Sequence, residues 1–315
     1  MENLTVSVSP HIRDEATTNR IMLDVLIALA PAFIASVILF GARAALVVAV
    51  CIATCVLCEW GFEKITKRPN TIGDLSAIVT GVLLAYNLPP TIPIWQAVFG
   101  SAVAIVLVKQ LFGGLGKNFA NPAITARIVL FLAFSATMTH WVSPVDGVTA
   151  ATPLALIGKG NTGALPSLWD MVLGIRGGCL GETSALVLAA GGLYLMVRKV
   201  ISWHTPVVYI AVVFLLTALL GLEPLHQVFS GGLFLGAFFM ATDYVTTPQT
   251  NPGRLVFGAG AGILTVVIRA YSSYPEGVSF AILLMNTVAW TLDKIGKPRR
   301  FGTKWFSLGR GGADK

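Results

Sequence analysis

The stretch Ile21–Gly41, IMLDVLIALAPAFIASVILFG, decides the fold class of this chain. Its single charged residue is Asp24, and about 20 apolar residues in a helix are enough to cross the hydrocarbon core of a bilayer. Similar runs recur throughout the 315 residues, of which 55% are hydrophobic and 12% charged. Because a soluble domain averages about 25% charged residues, the sequence predicts an all-α polytopic membrane protein.

We predict about ten transmembrane spans, several of them shorter than the ~20 residues of a straight crossing. Short spans interrupted by Gly and Pro indicate broken or re-entrant helices, which are tolerated where protein or a cavity covers the freed backbone. The Gly-rich stretch Leu173–Glu182 is one such segment. The predicted spans are Ile21–Gly41, Ala44–Phe62, Leu75–Leu88, Ile94–Val108, Ala123–His140, Thr183–Val197, Pro206–Leu220, Val228–Ala241, Leu255–Ile268 and Val278–Leu292.

The two halves of the chain share a pattern. Pro89 and Pro93 in the first half have the same spacing as Pro248 and Pro252 in the second. Five spans per half would invert the second half relative to the first, and inverted repeats place functional sites near the membrane midplane. We therefore predict a single membrane domain with an inverted 5+5 repeat. Its parts are repeat one (21–140), an outer loop (141–182), repeat two (183–293) and a basic tail (294–315).

Basic residues are distributed unevenly between the two predicted sides of the membrane. With the N-terminus in the cytoplasm, eighteen of the 22 Lys and Arg residues, Arg127 and Lys109 among them, belong to the cytoplasmic side. Cytoplasmic loops are enriched in Lys and Arg, so we predict a cell-membrane protein with both termini in the cytoplasm and an extracytoplasmic outer loop. We expect the basic tail to contact anionic lipid headgroups rather than nucleic acid. The four basic residues on the outer side are Arg43, Lys159, Arg176 and Arg269.

The outer loop contains the motif Asp146-Gly-Val-Thr149-Ala-Ala151-Thr152, followed by Pro153. Pro153 disfavours a helical conformation at Thr152. We therefore expect the Thr152 hydroxyl to protrude from an extended backbone between small side chains, as an acceptor for a transferase requires. The alternative is a polar loop whose threonines make local hydrogen bonds with the backbone.

This pattern, Asp-x-x-Thr-x-Ala-Thr, resembles the acceptor motif in which a flavin transferase links FMN through its phosphate to the final Thr. The motif usually has Gly where this chain has Ala150. Four further stretches resemble, in the same order, the RnfD family of membrane proteins from the Rnf complex, and more distantly the NqrB protein of the sodium-pumping NADH:quinone reductase. Many members of the RnfD family have Pro at the position of Tyr244. The four stretches are His11–Arg13, Gly113–Ala123, Gly181–Ala185 and Phe239–Tyr244.

The resemblance implies a flavin-carrying membrane subunit of an ion-translocating ferredoxin:NAD+ oxidoreductase. It implies FMN bound covalently to Thr152, a second, noncovalent flavin such as riboflavin in the helix bundle, and coupling to Na+ or H+. The implied partners are the other membrane and extracytoplasmic subunits of the complex, a flavin transferase for maturation, and the lipid bilayer. We expect no catalytic side chain, because the flavin carries out the redox chemistry and the protein positions it.

Several residues near Thr152 are candidates for cofactor binding. Lys159 and Arg176 are candidates to pair with the FMN phosphate, although each could also be a solvated loop charge. We expect Asp146 to serve recognition by the transferase or to cap the turn. The stretch Gly181-Glu182-Thr183 has the form of a cap before a helix, and the glycine-rich backbone before it could direct amides at an anion. Thr149 and Ala151 complete the acceptor motif.

Ionisable residues at membrane depth are candidates for function. Glu182 and Asp243 lie within the motifs that resemble the family, so we predict that they contribute to an ion pathway. We interpret Asp24, Glu59 and Asp74 as structural charges at the ends of spans, from which a side chain can reach the interface.

Two other interpretations remain open. A cofactor-free transporter or channel could also use an inverted repeat with broken helices. Cys51, Cys55 and Cys58 share one face of the second span and could ligate an iron–sulfur cluster with Cys179. However, cysteine is a common small apolar residue in buried helices, and Cys179 is expected on the other side of the membrane. We therefore predict no metal site.

Overall fold

The computed structural model describes residues 17–144, 152–158, 163, 165–182, 184–272 and 276–294. Within these ranges the regular elements are helices, which confirms the predicted all-α membrane fold. Three helices are long and apolar enough to cross a membrane by themselves, and six shorter apolar helices of 10–17 residues accompany them. The count of ten spans and the inverted repeat stay predictions.

The helices are numbered in chain order. The fourth continues in π-helical conformation as Val103–Gln110, and the twelfth as Gly236–Met240. They are α1 (Thr18–Phe40), α2 (Ala42–Thr66), α3 (Ser76–Tyr86), α4 (Ile94–Ala102), α5 (Pro122–Ala133), α6 (Ser135–Met138), α7 (Pro153–Gly158), α8 (Leu168–Leu173), α9 (Ala185–Val197), α10 (His204–Leu219), α11 (Pro224–Phe229), α12 (Leu233–Leu235), α13 (Asn251–Tyr271) and α14 (Val278–Leu292).

Two predicted spans are wrong as continuous helices. The span Ala123–His140 is interrupted at Phe134, whose backbone (φ −134°, ψ 49°) is not helical. The span Val228–Ala241 is interrupted between α11 and α12, where Gly231 adopts a φ of +62° that L-residues rarely take. Apolar composition alone does not reveal these breaks, because the residues on both sides of each break are still apolar.

Helices α5 and α13 begin with the same local chemistry. The Asn121 side chain accepts hydrogen bonds from the amides of Ala123 (3.0 Å) and Ile124 (3.3 Å) at the start of α5, and Thr250 accepts one from the Gly253 amide (3.2 Å) at the start of α13. Such caps satisfy amides that lack a partner within the helix. A proline in the first turn, which needs no amide partner, completes both starts.

The Gly-rich segment before α9 is irregular and buried, as predicted for a re-entrant stretch. The Leu180 amide donates to the carbonyl of Leu88 (3.0 Å), and the Gly181 amide donates to that of Tyr86 (2.9 Å). Both carbonyls belong to the end of α3. A side chain at Gly181 would collide with the Tyr86 ring. The segment thus covers the open end of a short helix, which meets the requirement that freed backbone groups in a membrane find partners.

The two halves of the chain meet along two helix pairs, because α1 packs on α9 and α5 packs on α14. Within the first half α2 packs on α3 and α4, and within the second α10 packs on α13. We call one end of the bundle the Thr152 face. At this end Arg43 donates a hydrogen bond to the Ile92 carbonyl (2.9 Å), and the Thr91 hydroxyl donates one to the His140 carbonyl (3.3 Å). The opposite end, where Arg68 donates to the Gln110 carbonyl (2.9 Å), is called the Lys109 face.

The contact of α1 with α9 depends on the absence of a side chain at Gly191. A Cβ atom there would lie 2.4 Å from the carbonyl oxygen of Ala28, which is backbone and has little freedom to move. We expect Gly191→Ala to lower the free energy of unfolding by about 1–3 kcal/mol, as overpacked substitutions do. The measurement is thermal unfolding of the purified protein in detergent.

Gly61→Ala is the matched control, because a Cβ atom there would have nothing within 4 Å. Alanine is a better helix former than glycine by about 1 kcal/mol, so this variant should be at least as stable as the parent. Equal stability of both variants would contradict the close approach of α1 and α9.

Candidate functional site

Thr152 caps α7. Its hydroxyl oxygen accepts a hydrogen bond from the Ala155 amide (3.2 Å), and its carbonyl accepts one from the Leu156 amide (3.1 Å). Pro153 follows at the first helical position, where a proline is favoured. The sequence Thr-Pro thus fixes the backbone at Thr152 and holds its hydroxyl oxygen at the start of a short helix.

The prediction that the Thr152 hydroxyl protrudes is wrong for this conformation, since only 8% of the residue is exposed. The residue faces a small pocket, because α7 docks beside the glycine-rich segment before α9. Leu154 anchors this docking next to Gly231, where a Cβ atom would lie 2.9 Å from the leucine methyl. The residues that line the pocket are Thr152, Pro153, Leu154, Arg176, Gly177, Glu182, Gly231 and Glu276.

Arg176 is buried in the same pocket rather than solvated in a loop. One guanidinium nitrogen, Nη2, donates to the Glu182 carbonyl (3.0 Å), while Nη1 is buried without a hydrogen-bond partner within the described part of the chain. Burial lowers the pKa of Arg176 to about 10, and the Glu182 carboxylate opposes this shift. The guanidinium therefore stays positively charged at neutral pH and presents an unsatisfied donor beside Thr152.

Of the remaining predicted binding residues, the structure places Glu182 beside Thr152, where it lines the pocket and is 4% exposed. Gly181 does not line this pocket and packs against Tyr86 at the end of α3. Five candidates lie outside the described residues. These are Asp146, Thr149, Ala151, Lys159 and Thr183.

The prediction that Arg127 lies on the cytoplasmic side of the membrane is wrong. The structure buries Arg127 inside the bundle, next to the Thr152 pocket. Its Nη1 donates to the Ser279 hydroxyl (2.5 Å), and its Nη2 pairs with the Glu276 carboxylate and lies 3.6 Å from Glu182 Oε1. Arg127 follows a helix start within an apolar run, so the rule that intramembrane charges mark function would have found it.

Cys179, Glu182 and Glu276 offer ligand atoms within 4.8 Å of one another, the one such group among the described residues. The guanidinium of Arg127 faces all three, because its Nη2 pairs with both carboxylates and lies 3.8 Å from the Cys179 sulfur. The positive charge of Arg127 therefore compensates the negative charge that the two carboxylates bring to this cluster.

Asp243 lies in a different cavity from Glu182, so the two predicted ion-pathway residues are not brought together. The Thr246 hydroxyl donates to the Asp243 carboxylate (3.1 Å). Asp243 lines a chamber of about 90 Å3 that also contains Lys109, Asn118 and Asn121 among apolar walls such as Phe238. This chamber lies on the side of the bundle that ends at the Lys109 face.

The prediction that Lys109 is a loop charge is also wrong, because the residue is only 2% exposed. Its ammonium group contacts both Glu59 oxygens (2.7 and 3.0 Å) and the Ser76 hydroxyl (2.6 Å). Gln110 donates to the same Glu59 carboxylate (2.9 Å). Consecutive residues of a regular α-helix point about 100° apart. Lys109 and Gln110 lie instead in the π-helical turn, and both side chains reach Glu59.

Two further carboxylates, Glu63 and Asp24, lie near the Lys109 face, and Glu63 shares a hydrogen-bond partner with Glu59. Glu63, 4% exposed, accepts hydrogen bonds from Thr71, whose hydroxyl also reaches Glu59 (3.1 Å). Asp24 is also buried, and it pairs with Arg198 (3.1 Å), whose side chain is partly exposed; this ion pair fits the predicted structural role. Sequence reasoning missed Glu63 because it sits one helical turn beyond Glu59 near the end of α2.

A model of the NQR2, RnfD, RnfE family matches residues 5–302. The chain belongs to this family. It is 47% identical to the D subunit of the Na(+)-translocating ferredoxin:NAD(+) oxidoreductase complex of Acetobacterium woodii, over 95% of this chain and 96% of that protein. It is 43% identical to the D subunit of the proton-translocating ferredoxin:NAD(+) oxidoreductase complex of Clostridium ljungdahlii, over 95% and 96%.

A more distant relative, the D subunit of the ion-translocating oxidoreductase complex of Stutzerimonas stutzeri, is 38% identical over 91% of this chain and 93% of that protein. The predicted family is thus confirmed over nearly the whole chain. The two relatives from Acetobacterium and Clostridium are named for different ions, so membership of the family leaves the coupled ion open.

The buried pair of Lys109 and Glu59 yields a prediction about stability. Lys109→Met leaves the Glu59 carboxylate buried without a counter-charge, so we expect a loss of about 3–5 kcal/mol in the free energy of unfolding. The double variant Glu59→Gln with Lys109→Met should recover most of this loss. Thermal unfolding in detergent measures both, and Lys117→Met at an exposed position is the control. A double variant no more stable than Lys109→Met would show that the two charges do not compensate each other.

Proposed function

We propose that this chain is the flavin-carrying membrane subunit of an ion-translocating ferredoxin:NAD+ oxidoreductase complex. Its family supports this, as do the names of relatives that align with more than nine-tenths of the chain. In this role its partners are the other membrane and extracytoplasmic subunits of the complex, together with the surrounding lipid. The related NqrB protein of the sodium-pumping quinone reductase is the less similar alternative.

The observation that carries the flavin proposal is a guanidinium nitrogen of Arg176 in the pocket of Thr152 that has no hydrogen-bond partner among the described residues. FMN esterified to Thr152 would place phosphate oxygens in this pocket, and Arg pairs strongly with phosphate. The Thr152 oxygen can keep its hydrogen bond from Ala155, because an ester oxygen still accepts. Bound flavin would supply one- and two-electron transfer, while Arg176 and the cap of α7 hold its phosphate.

Burial of Thr152 sets a condition on maturation. A flavin transferase needs access to the hydroxyl, yet only 8% of the residue is exposed when α7 is docked. We propose that attachment takes place while α7 lies away from Arg176, and that docking follows once the phosphate neutralises the guanidinium. On the predicted topology this pocket lies on the extracytoplasmic side.

A second, noncovalent flavin has a candidate location in the chamber that reaches the Lys109 face. Phe238 and Phe239 supply apolar walls, and Asn118, Asn121 and Lys109 supply hydrogen-bond donors. Such a lining suits a flavin, which has apolar faces and a polar edge.

We propose that Asp243 contributes to the ion pathway from the Lys109 face, because its carboxylate lines that chamber together with Lys109. Glu182 is already paired with Arg127 (3.6 Å), so its contribution would depend on that pair opening. The coupled ion is Na+ or H+. A cofactor-free transporter remains the alternative that the following experiment addresses.

Thr152→Ala removes the proposed attachment point. We expect the ultraviolet-excited flavin fluorescence of the protein band on a denaturing gel to disappear, with the wild-type peptide carrying the mass of FMN at Thr152. The control is Thr287→Ala, which changes an exposed threonine of α14 and should keep the fluorescence. Loss of the cap costs about 1 kcal/mol, so elution as a folded species confirms that the variant is intact. A dark wild-type band from cells that contain the transferase would favour the transporter.

Arg176→Gln removes the positive charge beside the proposed phosphate. A nearby cation stabilises the reduced, more negative flavin, so we expect the midpoint potential of the covalent flavin to fall by about 30 mV, a tenfold change for a two-electron couple. Spectroelectrochemical titration of the purified protein measures it. Arg198→Gln, which changes a cation bound to Asp24 in the part of the bundle nearer the Lys109 face, should leave the potential unchanged. Equal potentials for wild type and Arg176→Gln would argue against the phosphate contact.

A further inference from the structure

A cavity of about 510 Å3 lies on the Lys109 face, where the turn between α9 and α10 meets the start of α13. Lys199, Trp203 and Thr205 line it from the turn and the first residues of α10, and Arg254 lines it from α13. It is called the Trp203 cavity. We propose that this cavity binds the phosphate of an anionic phospholipid.

The charges in the lining favour an anion. Lys199 is exposed, and Arg254 donates from Nε to the Pro248 carbonyl (3.0 Å), which holds its guanidinium beside the cavity. The lining also contains the carboxylate of Asp243, which accepts a hydrogen bond from the Thr246 hydroxyl (3.1 Å). The two cations outnumber this carboxylate, so the lining has a net positive charge. Arginine and lysine both bind phosphate, and charge-assisted hydrogen bonds to it are strong.

The start of α10 supplies polar groups that lack partners. Thr205 lines the cavity and is 1% exposed, and its hydroxyl oxygen has no hydrogen-bond partner among the described residues. No side chain within the described part of the chain caps this 16-residue helix. The amides of a first turn have no partner inside the helix, and together with the helix dipole they attract a negatively charged ligand. Phosphate oxygens would satisfy these groups.

The position of the cavity favours a lipid headgroup as the source of the phosphate. Trp203 is 54% exposed and stacks on His204, with 4.2 Å between the ring centroids. Exposed tryptophans of membrane proteins are enriched at the level of the headgroups. Basic pockets between membrane helices on the cytoplasmic side bind anionic headgroups, and the predicted topology places the Lys109 face on that side.

The Trp203 cavity borders the chamber of Asp243. Thr242, Asp243 and Tyr244 line both spaces. The Tyr244 hydroxyl donates to the carbonyl of Val200, which also lines both. A phospholipid bound in the cavity would therefore lie directly beside the chamber to which we assign the ion pathway. The lipid site itself does not depend on the flavin or on that pathway.

Thermal unfolding of the full chain in a neutral detergent tests the proposal. A ligand that binds only the folded protein raises the unfolding temperature as its concentration increases. We expect phosphatidylglycerol, an anionic phospholipid, to raise the unfolding temperature at concentrations at which neutral phosphatidylcholine has no effect. Inorganic phosphate at the same concentrations should also have no effect, because it lacks the acyl chains that keep a headgroup at the membrane surface.

Charge removal locates the site. The double variant Lys199→Gln with Arg254→Gln should weaken the apparent affinity for phosphatidylglycerol by about tenfold or more, as the loss of charged hydrogen bonds implies. The matched control is Lys64→Gln with Lys67→Gln. It removes the same charge from exposed positions near the Lys109 face that do not line the cavity, and it should keep the wild-type affinity.

Thr205→Val keeps the test decisive if the double variant fails to fold. It removes a hydroxyl without a partner and retains nearly the same shape, so the stability without lipid should be unchanged or higher. The affinity for phosphatidylglycerol should fall nevertheless, because a donor to the phosphate is lost.

Four results would overturn the proposal. The first is no rise in the unfolding temperature with phosphatidylglycerol, and the second is an equal rise with inorganic phosphate, which would indicate a site for the free ion. The third is an equal loss of affinity in both charge variants, which would show only a general attraction between basic surfaces and anionic lipid. The fourth is a wild-type affinity in Thr205→Val and in the variant of Lys199 and Arg254.

Discussion

The buried guanidinium of Arg127 is the constraint on which the Thr152 side of the molecule depends. Taking an ion out of water costs several kcal/mol unless partners compensate it, and here the partners come from different parts of the chain. Ser279 belongs to α14, Glu276 precedes it, and Glu182 ends the Gly-rich segment before α9. Satisfying one cation in α5 therefore fixes the start of α14 and the glycine-rich segment against one another. Thr152 and Arg176 share a pocket because that segment is held in place.

A similar arrangement holds the opposite side of the bundle. Lys109 is paired with Glu59 and Ser76 between α2, α3 and α4, and a π-helical turn brings Gln110 to the same carboxylate. Isolated π-helical turns within helices often occur at functional sites. Two polar clusters, each centred on a buried cation, thus border two separate cavities. One cavity contains Glu182 and the other contains Asp243, so the two carboxylates lie in separate polar environments.

The sequence identified the family and the central motif but misjudged the environment of individual charges. Long apolar runs predicted the all-α membrane fold, and the motif around Thr152 pointed to the family that the comparisons confirmed. The count of basic residues by loop placed Lys109 and Arg127 in water, whereas both are buried. Counting treats every charge between apolar runs as solvated. Whether a long side chain turns inward depends on an acidic partner from a distant helix, and spacing along one segment carries no information about that partner.

The amino-acid sequence by itself determined that this protein is a helical membrane protein, where most of its helices lie, and that Thr152 stands before a helix opened by Pro153. These properties follow from local chemistry: apolar composition, capping side chains and the fixed φ of proline. Only the tertiary structure decided that Thr152 is buried, and that Arg176 in the same pocket has a donor without a partner among the described residues. Each of these results depends on contacts between residues far apart in the chain, because a low-dielectric interior forces polar groups to find partners wherever the fold supplies them.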